Sequence, residues 1–267
     1  MIVSILAYCM SFVTADPFIA MADRLYETMR PHEVEAGNVI FMKMCDAEDF
    51  FHAIHPQLQV PYVLITHLTD ESTPGALARY LDEPLLLAWF AINWDGTRHP
   101  KLHPIPIGLA NQKLPHGHLT DVTAVQQMQL PKKHLLFMNF TIQTFSEERW
   151  EVFKQFAKAP YCYRTGKKPF REYLIDMASS KFVLAPRGAG LDTYRLWEAL
   201  YVGSIPIVKT SSLDLLYEGL PVLIVQDWSE VTESFLEEKY REFVAREFCW
   251  EKLDMAYWQL QIKKCFP

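Results

Sequence analysis

The sequence predicts an α/β protein built on two parallel sheets, each covered by helices on both faces. Three observations carry that reading. Short apolar runs alternate with helical patterns along almost the whole chain, as strands joined by crossover helices do. The runs fall into two series, separated around residues 111–133 by a polar, proline-flanked stretch with the composition of a linker. A length of 267 residues suits one large or two small domains with substantial cores.

The first series opens with residues 2–8, an apolar run read as a buried strand. Its rival is a signal segment, because Val13-Thr14-Ala15 resembles a small-residue cleavage site. No basic residue precedes the run, however, and it is too short to span a bilayer. Asp16 is expected to cap a helix with Pro17 in its first turn, running to Met29 or Arg30 where Pro31 stops it. The run NVIFMK (38–43) reads as a strand, followed by Asp46 capping a helix over AEDFFHAI; VPYVLITH (60–67) is a further strand. Thr73-Pro74 begins a short helix. LLLAWFAIN (85–93) fits strand or helix, since periodicity does not separate the two. HPIPIG (103–108) is extended, because a residue before proline is pushed out of the helical region.

The second series starts near residue 134 with HLLFMNF as a strand. Thr144 and Glu147 have the spacing of a capping box before ERWEVFKQFA. A helix at about 169–179, the strand KFVLAP, a helix from Leu191 to Val202, the strand IPIVK, a helical SSLDLLYEG and the strand PVLIV follow. The remainder is helical. Two such series amount to two Rossmann-like halves, divided as residues 1–125 and 126–267.

The net charge of −6 lacks any long basic run, which argues against duplex nucleic acid as a partner, where phosphate neutralisation dominates affinity. Small anions need only a few local cations. Mean hydropathy is −0.03, ordinary for a globular chain. The five cysteines (Cys9, Cys45, Cys162, Cys249, Cys265) are scattered without a C-x-x-C, so free thiols in a reducing, cytoplasmic setting are expected. A secretory route would make Asn139-Phe140-Thr141 a glycosylation acceptor. His99, His103, His116 and His118 match no ligand spacing, so no metal site is expected.

The stretch KFVLAPRGAGLDTYRLWEALYVGSIPIV (181–208) carries the chemistry. A strand ends at Pro186, and Gly188-Ala189-Gly190 let the chain turn and let a ligand approach the backbone. A helix N-terminus then presents unpaired N–H groups and partial positive charge, a seat for phosphate. Arg187 and Arg195 flank that seat with planar forks suited to a diphosphate. With the helix starting at Leu191, Glu198 lies roughly 10 Å from the phosphate end, within reach of ribose hydroxyls. Asp192, Arg195, Glu198 and Ala199 share the polar side. An ordinary turn with a surface Arg195–Glu198 ion pair is the plain alternative. A dinucleotide fold fits less well: Thr193 replaces the third glycine of G-x-G-x-x-G, and the next strand ends in Lys209 instead of an acid.

Through Pro186, Gly188, Gly190, Asp192, Thr193, Arg195, Glu198, Ala199, Leu200, Gly203, Ile205 and Pro206, this stretch resembles the signature of the exostosin-like glycosyltransferases, family 47. The upstream LLFMNFTIQTFSEER is similar through Asn139, Thr141 and Arg149. The segments VLITHLTDESTPG and HPKLHPIPIGLAN look like the short exostosin-like proteins of algae and large algal viruses, one of them a viral xylosyltransferase. The resemblance implies a GT-B fold, two Rossmann-like domains facing across a cleft, inverting transfer from a UDP-sugar to a glycan hydroxyl, and no obligatory metal; the viral likeness points to xylose, while glucose, galactose and glucuronate fit the cradle equally well. The chain lacks the membrane anchor of typical members, which favours a form with no membrane span.

Under that reading the donor site comprises Asn139, Thr141, Arg149, Arg187, Gly188, Ala189, Gly190, Asp192, Thr193, Arg195 and Glu198. Inversion also needs a base for the acceptor proton. It is sought after a strand of the first half, where Asp70 is the first candidate and His67 the second. Asn93 and Asp95 are candidates for the acceptor pocket, and Trp228 for packing. An inactive sugar-nucleotide binder and an NADP-dependent oxidoreductase are the rival functions.

Overall fold

The computed structural model describes residues 11–266, so the strand expected at 2–8 lies outside the described residues. The first sheet contains β1 (Arg24–Leu25), β2 (Asn38–Lys43), β3 (Tyr62–His67), β4 (Leu86–Ala91) and β5 (Leu102–Pro104), parallel and in sequential order. The second contains β6 (His134–Met138), β7 (Cys162–Arg164), β8 (Ser180–Leu184), β9 (Ile205–Lys209) and β10 (Leu223–Val225), parallel in the order β10-β9-β8-β6-β7. All side chains of β3 are buried, as a parallel strand covered on both faces requires. The ambiguous run at 85–93 is a strand, and Trp89 in β4 donates its indole N–H to Thr66 of β3 at 2.9 Å.

The helices are α1 (Ala15–Ala20), α2 (Ala47–Asp49), α3 (Leu119–Gln127), α4 (Ser146–Phe156), α5 (Phe170–Ala178), α6 (Tyr194–Tyr201), α7 (Asp214–Tyr217), α8 (Glu233–Ala245) and α9 (Met255–Lys263). Several depart from the sequence reading. The first ends at Ala20 and not at Met29, and its cap is Thr14, whose hydroxyl accepts from Asp16 N–H at 3.2 Å. Beyond it the backbone joins the sheet edge as β1, and the Asp23 carboxylate takes the Val39 N–H at 2.8 Å. Asp46 makes no side-chain cap, and α2 passes at once into a π-helical turn, Phe50–Ile54. The capping box at Thr144 does not form; its hydroxyl donates to the Thr141 carbonyl at 2.9 Å. The segment read as a linker contains α3, whose Val122 and Val125 are buried and which packs on α5.

One core runs continuously through both halves, from Leu64 and Trp89 to Val183, Trp197 and Tyr201. A smaller core behind the second sheet includes Leu136, Phe182 and Ile207, with Trp228 buried in it as a packing residue. The end of the chain returns to the first half: Met255 N–H donates to the Ser11 carbonyl at 2.9 Å, and Phe266 lies against Gly37. Among the described residues, no helix is long and apolar enough to cross a membrane. Cys45, Cys162, Cys249 and Cys265 are free thiols; Cys9 lies outside the described residues.

Candidate active site

In the second sheet, β6 continues to β7 on one side while β8 and β9 build away on the other. In such sheets ligands gather outside the carboxyl ends of the strands at this reversal. The loops leaving β6 and β8 meet there and line a cavity of about 630 Å³, completed by Asp70 and Ile107 from the first half. Asn139, Thr141, Arg149, Gly188, Ala189, Gly190, Asp192, Thr193, Arg195 and Glu198 all border it.

Arg149 is buried, and its three nitrogens donate to the carbonyls of Arg187 (2.7 Å), Thr141 (2.8 Å) and Pro186 (3.2 Å). It therefore holds the two loops in register. Burial, and then the charge of Arg195, lower its pKa to about 10, so it stays cationic at neutral pH. Arg195 donates Nε to the Asn139 carbonyl at 2.9 Å, and its guanidinium also lies within hydrogen-bonding reach of the Tyr173 hydroxyl. None of Arg149, Arg187 and Arg195 forms an ion pair among the described residues. Of these, Arg149 and Arg195 border the cavity, so two guanidinium groups face it with no ion-pair partner among the described residues.

Helix α6 begins at Tyr194, three residues later than expected, so Glu198 lies about 6 Å along the axis from its start. The helix is not half-exposed: every side chain from Leu196 to Tyr201 is buried. No Arg195–Glu198 salt bridge forms. The Glu198 carboxylate accepts from the Tyr173 hydroxyl at 2.9 Å instead. Burial raises its pKa, opposed by Arg195 and by the Tyr173 hydrogen bond.

Asp192 is an internal pin. One oxygen accepts the Ile107 N–H at 2.8 Å, and the other the Thr193 N–H at 2.9 Å and the Tyr217 hydroxyl at 3.4 Å. The Trp197 indole lies 2.9 Å from both. Burial raises its pKa to about 6 against these donors. Its own N–H donates to the Asn93 side chain at 3.0 Å, and Asn93 in turn donates to the Thr69 carbonyl at 3.0 Å. Asn93 is thus a buried clamp between the halves and does not border the cavity. Asp95 is also away from it: its carboxylate accepts from Gly75 (3.1 Å) and Thr97 (2.8 Å) in a local turn.

The structure separates Arg187 from the other donor-site candidates. Its guanidinium lies over the Phe145 ring at 4.3 Å, donates to the Gly188 and Ala189 carbonyls, and borders a second cavity of about 360 Å³ beyond the loop. The Gly188 N–H is also taken, by the Gly190 carbonyl at 3.1 Å. Ala189 and Gly190 have N–H groups without an acceptor among the described residues. His67 is buried against Phe18 with a ring distance of 5.6 Å, and does not border the cavity. Its Nδ1 accepts from Leu68 N–H at 2.8 Å, and burial lowers its pKa to about 4, against the Pro106 carbonyl. Asp70 is exposed at the cavity's edge.

Sequence reasoning missed several cavity residues. Tyr173 reaches Glu198 across 25 positions, for which no local pattern exists. Lys167, Lys168 and Phe170 arrive with a loop from β7, a strand too short to read. The run Lys-Lys-Pro before a helix was the available signal. His116, weighed only as a metal ligand, borders the same cavity. Among the described residues no group of three or more His, Cys, Asp and Glu could hold a metal ion.

Two parallel-sheet halves with a cavity at the strand reversal between them give this chain the GT-B fold. An alpha,alpha-trehalose 6-phosphate synthase from Burkholderia multivorans is similar over 89% of this chain and 72% of its own, with 12% identity and a TM-score of 0.51. An alpha,alpha-trehalose-phosphate synthase (UDP-forming) from Burkholderia vietnamiensis has 11% identity and a TM-score of 0.48, over 88% and 71% of the two chains. Sucrose-phosphate synthase from Thermosynechococcus elongatus has 14% identity and a TM-score of 0.39, over 85% and 73%. The family model of the RXYLT1 C-terminal domain matches residues 151–265. No curated protein sequence matches the chain.

Proposed function

We propose that this chain is an inverting glycosyltransferase of the exostosin-like type, moving a sugar from a UDP-sugar to a hydroxyl of a glycan acceptor. The observation that carries the proposal is the Arg195 fork, held in no ion pair among the described residues and set beside a buried carboxylate at the strand reversal. The terminal nitrogens of Arg195 and the free amides of Ala189 and Gly190 receive the diphosphate. Arg149 adds its charge from behind. Glu198, oriented by Tyr173, accepts the ribose hydroxyls, because a carboxylate can take two such bonds at once. These groups are in place before the bond breaks, so they stabilise the departing UDP without reorganisation.

Asp70 reaches the cavity from the first half and takes the proton of the acceptor hydroxyl as that oxygen attacks the anomeric carbon. The second half thus holds the donor and the first half the acceptor. Arg187 in its seen position holds the loop, and the match of residues 151–265 to the RXYLT1 C-terminal domain is consistent with xylose as the sugar moved.

The test measures UDP binding and sugar transfer in two variants. Arg195→Ala is expected to weaken UDP at least tenfold, since a charge-assisted bidentate contact is worth about 1.5–3 kcal/mol. Asp70→Asn is expected to bind UDP normally and to lose transfer by a factor of roughly 10² or more. Unchanged UDP affinity in the arginine variant would falsify the donor site. Thermal-shift screening against a panel of UDP-sugars identifies the sugar.

A further inference from the structure

Among the described residues, His116 is the one histidine that borders the cleft cavity. It belongs to the segment joining the two sheets and is half-buried. Its ring is held by aromatic neighbours, 5.5 Å from Tyr194 at the start of α6 and 6.5 Å from Phe170 at the start of α5. Neither ring nitrogen makes a hydrogen bond to any described residue. By contrast, His55 is engaged by Tyr62 and Glu83, His67 by Leu68, and His99 by Lys101 and Asp82. A half-buried imidazole positioned by packing alone, with both nitrogens free, has its polar edge available to whatever enters the cavity.

The charges around it favour one kind of visitor. Arg195 and Glu198 come from α6, Asp192 from the loop before it, Arg149 from α4, Lys167 and Lys168 from the loop before α5, and Asp70 from the first half. Tyr173 and Tyr194 are neutral. Lys168 is paired with Asp176, and Glu198 with Tyr173. Burial, and then the charge of Arg195, disfavour the imidazolium, so His116 is held neutral. An anion seated on Arg195 reverses that field.

We propose that His116 is a proton-coupled contact for the diphosphate: it takes up a proton from solvent as the ligand settles on Arg195, and then donates a hydrogen bond to a phosphate oxygen. This rests on the UDP-binding reading of the same cavity and adds to it a residue from the segment between the halves. A neutral ring could donate its single N–H without taking up a proton; it is the negative charge of the diphosphate beside the ring that favours the imidazolium, and that links occupancy to protonation.

The experiment is calorimetry of UDP binding to the full chain between pH 6 and pH 8, in buffers of different ionisation enthalpy. His116→Gln is the comparison. It keeps a polar side chain of similar reach, and its folding is checked by its melting curve. The wild type is expected to take up a fraction of a proton per UDP beyond any taken up by the variant. Its affinity should rise as pH falls, by a limit of about tenfold for each pKa unit the ligand adds to the imidazole. The ligand's own phosphate ionisation is common to both proteins and cancels. Equal proton uptake in wild type and variant, with UDP binding intact, overturns the inference and leaves the donor site standing. Absence of UDP binding to the wild type removes the donor site, and this inference with it.

Discussion

Gly190 shows how closely the halves approach one another. A Cβ placed there would lie 2.9 Å and 3.0 Å from the Asn93 amide atoms and 3.1 Å from an Asp70 carboxylate oxygen. At Gly188 the nearest atom is an Arg149 nitrogen at 3.3 Å, a single and looser contact. Gly190→Ala is therefore expected to displace Asn93 and cost about 1–3 kcal/mol, with a smaller loss for Gly188→Ala. Paired thermal melts check the order; a glycine-188 variant that melts lower would refute it. The small-residue turn was legible in the sequence. The sequence assigned it to ligand approach, whereas close packing between the halves also requires it. The site's charged residues were legible in part. Arg195 and Glu198 have a spacing with chemical meaning, but the direction Arg187 takes is decided by the Phe145 ring, from a different element.

Among elements, the runs bounded by turns were read most closely. NVIFMK coincides with β2 because an apolar strand next to Gly37 has clear limits. The edge strands β1 and β7, of two and three residues, have too little pattern to detect. Caps were misread for a common reason: the side chains of Asp46 and Thr144 found other partners or none. The joint between α3, α5 and β9 offers a pH-dependent prediction. Lys132 donates to the Ala178 carbonyl at the end of α5 and to Ser204 Oγ, both at 2.8 Å, and burial lowers its pKa to about 7. An unfolded lysine keeps its proton to about pH 10.4. The cost of burying the charge is thus fully present below pH 7 and is relieved as pH rises from 7 towards 10. Against Lys132→Met, the wild type should gain stability in urea titrations between pH 7 and pH 9. A pH-independent difference would contradict this.

At the scale of the whole molecule, Asp192 joins the halves through one carboxylate. Asp192→Ala leaves the Ile107 N–H, the Trp197 indole and the Tyr217 hydroxyl without acceptors in the buried contact between them. The expected loss is on the order of 3 kcal/mol or more, read as a lower urea midpoint. A change under about 0.5 kcal/mol would show that the contact is not needed. The two-sheet architecture was legible because alternating strand and helix patterns admit few parallel-sheet arrangements. That a single core spans both sheets was not legible, since hydropathy along a chain does not report which apolar faces meet.

The return of α9 to the first half has a mechanical consequence. Among the described residues the polypeptide crosses between the halves twice, once through the segment before β6 and again before Met255, which is anchored at Ser11. Together with the core common to both sheets and the buried Asp192 and Asn93 bonds, these two tethers resist hinging as well as sliding, so the crevice keeps its shape as a permanent feature of one rigid body.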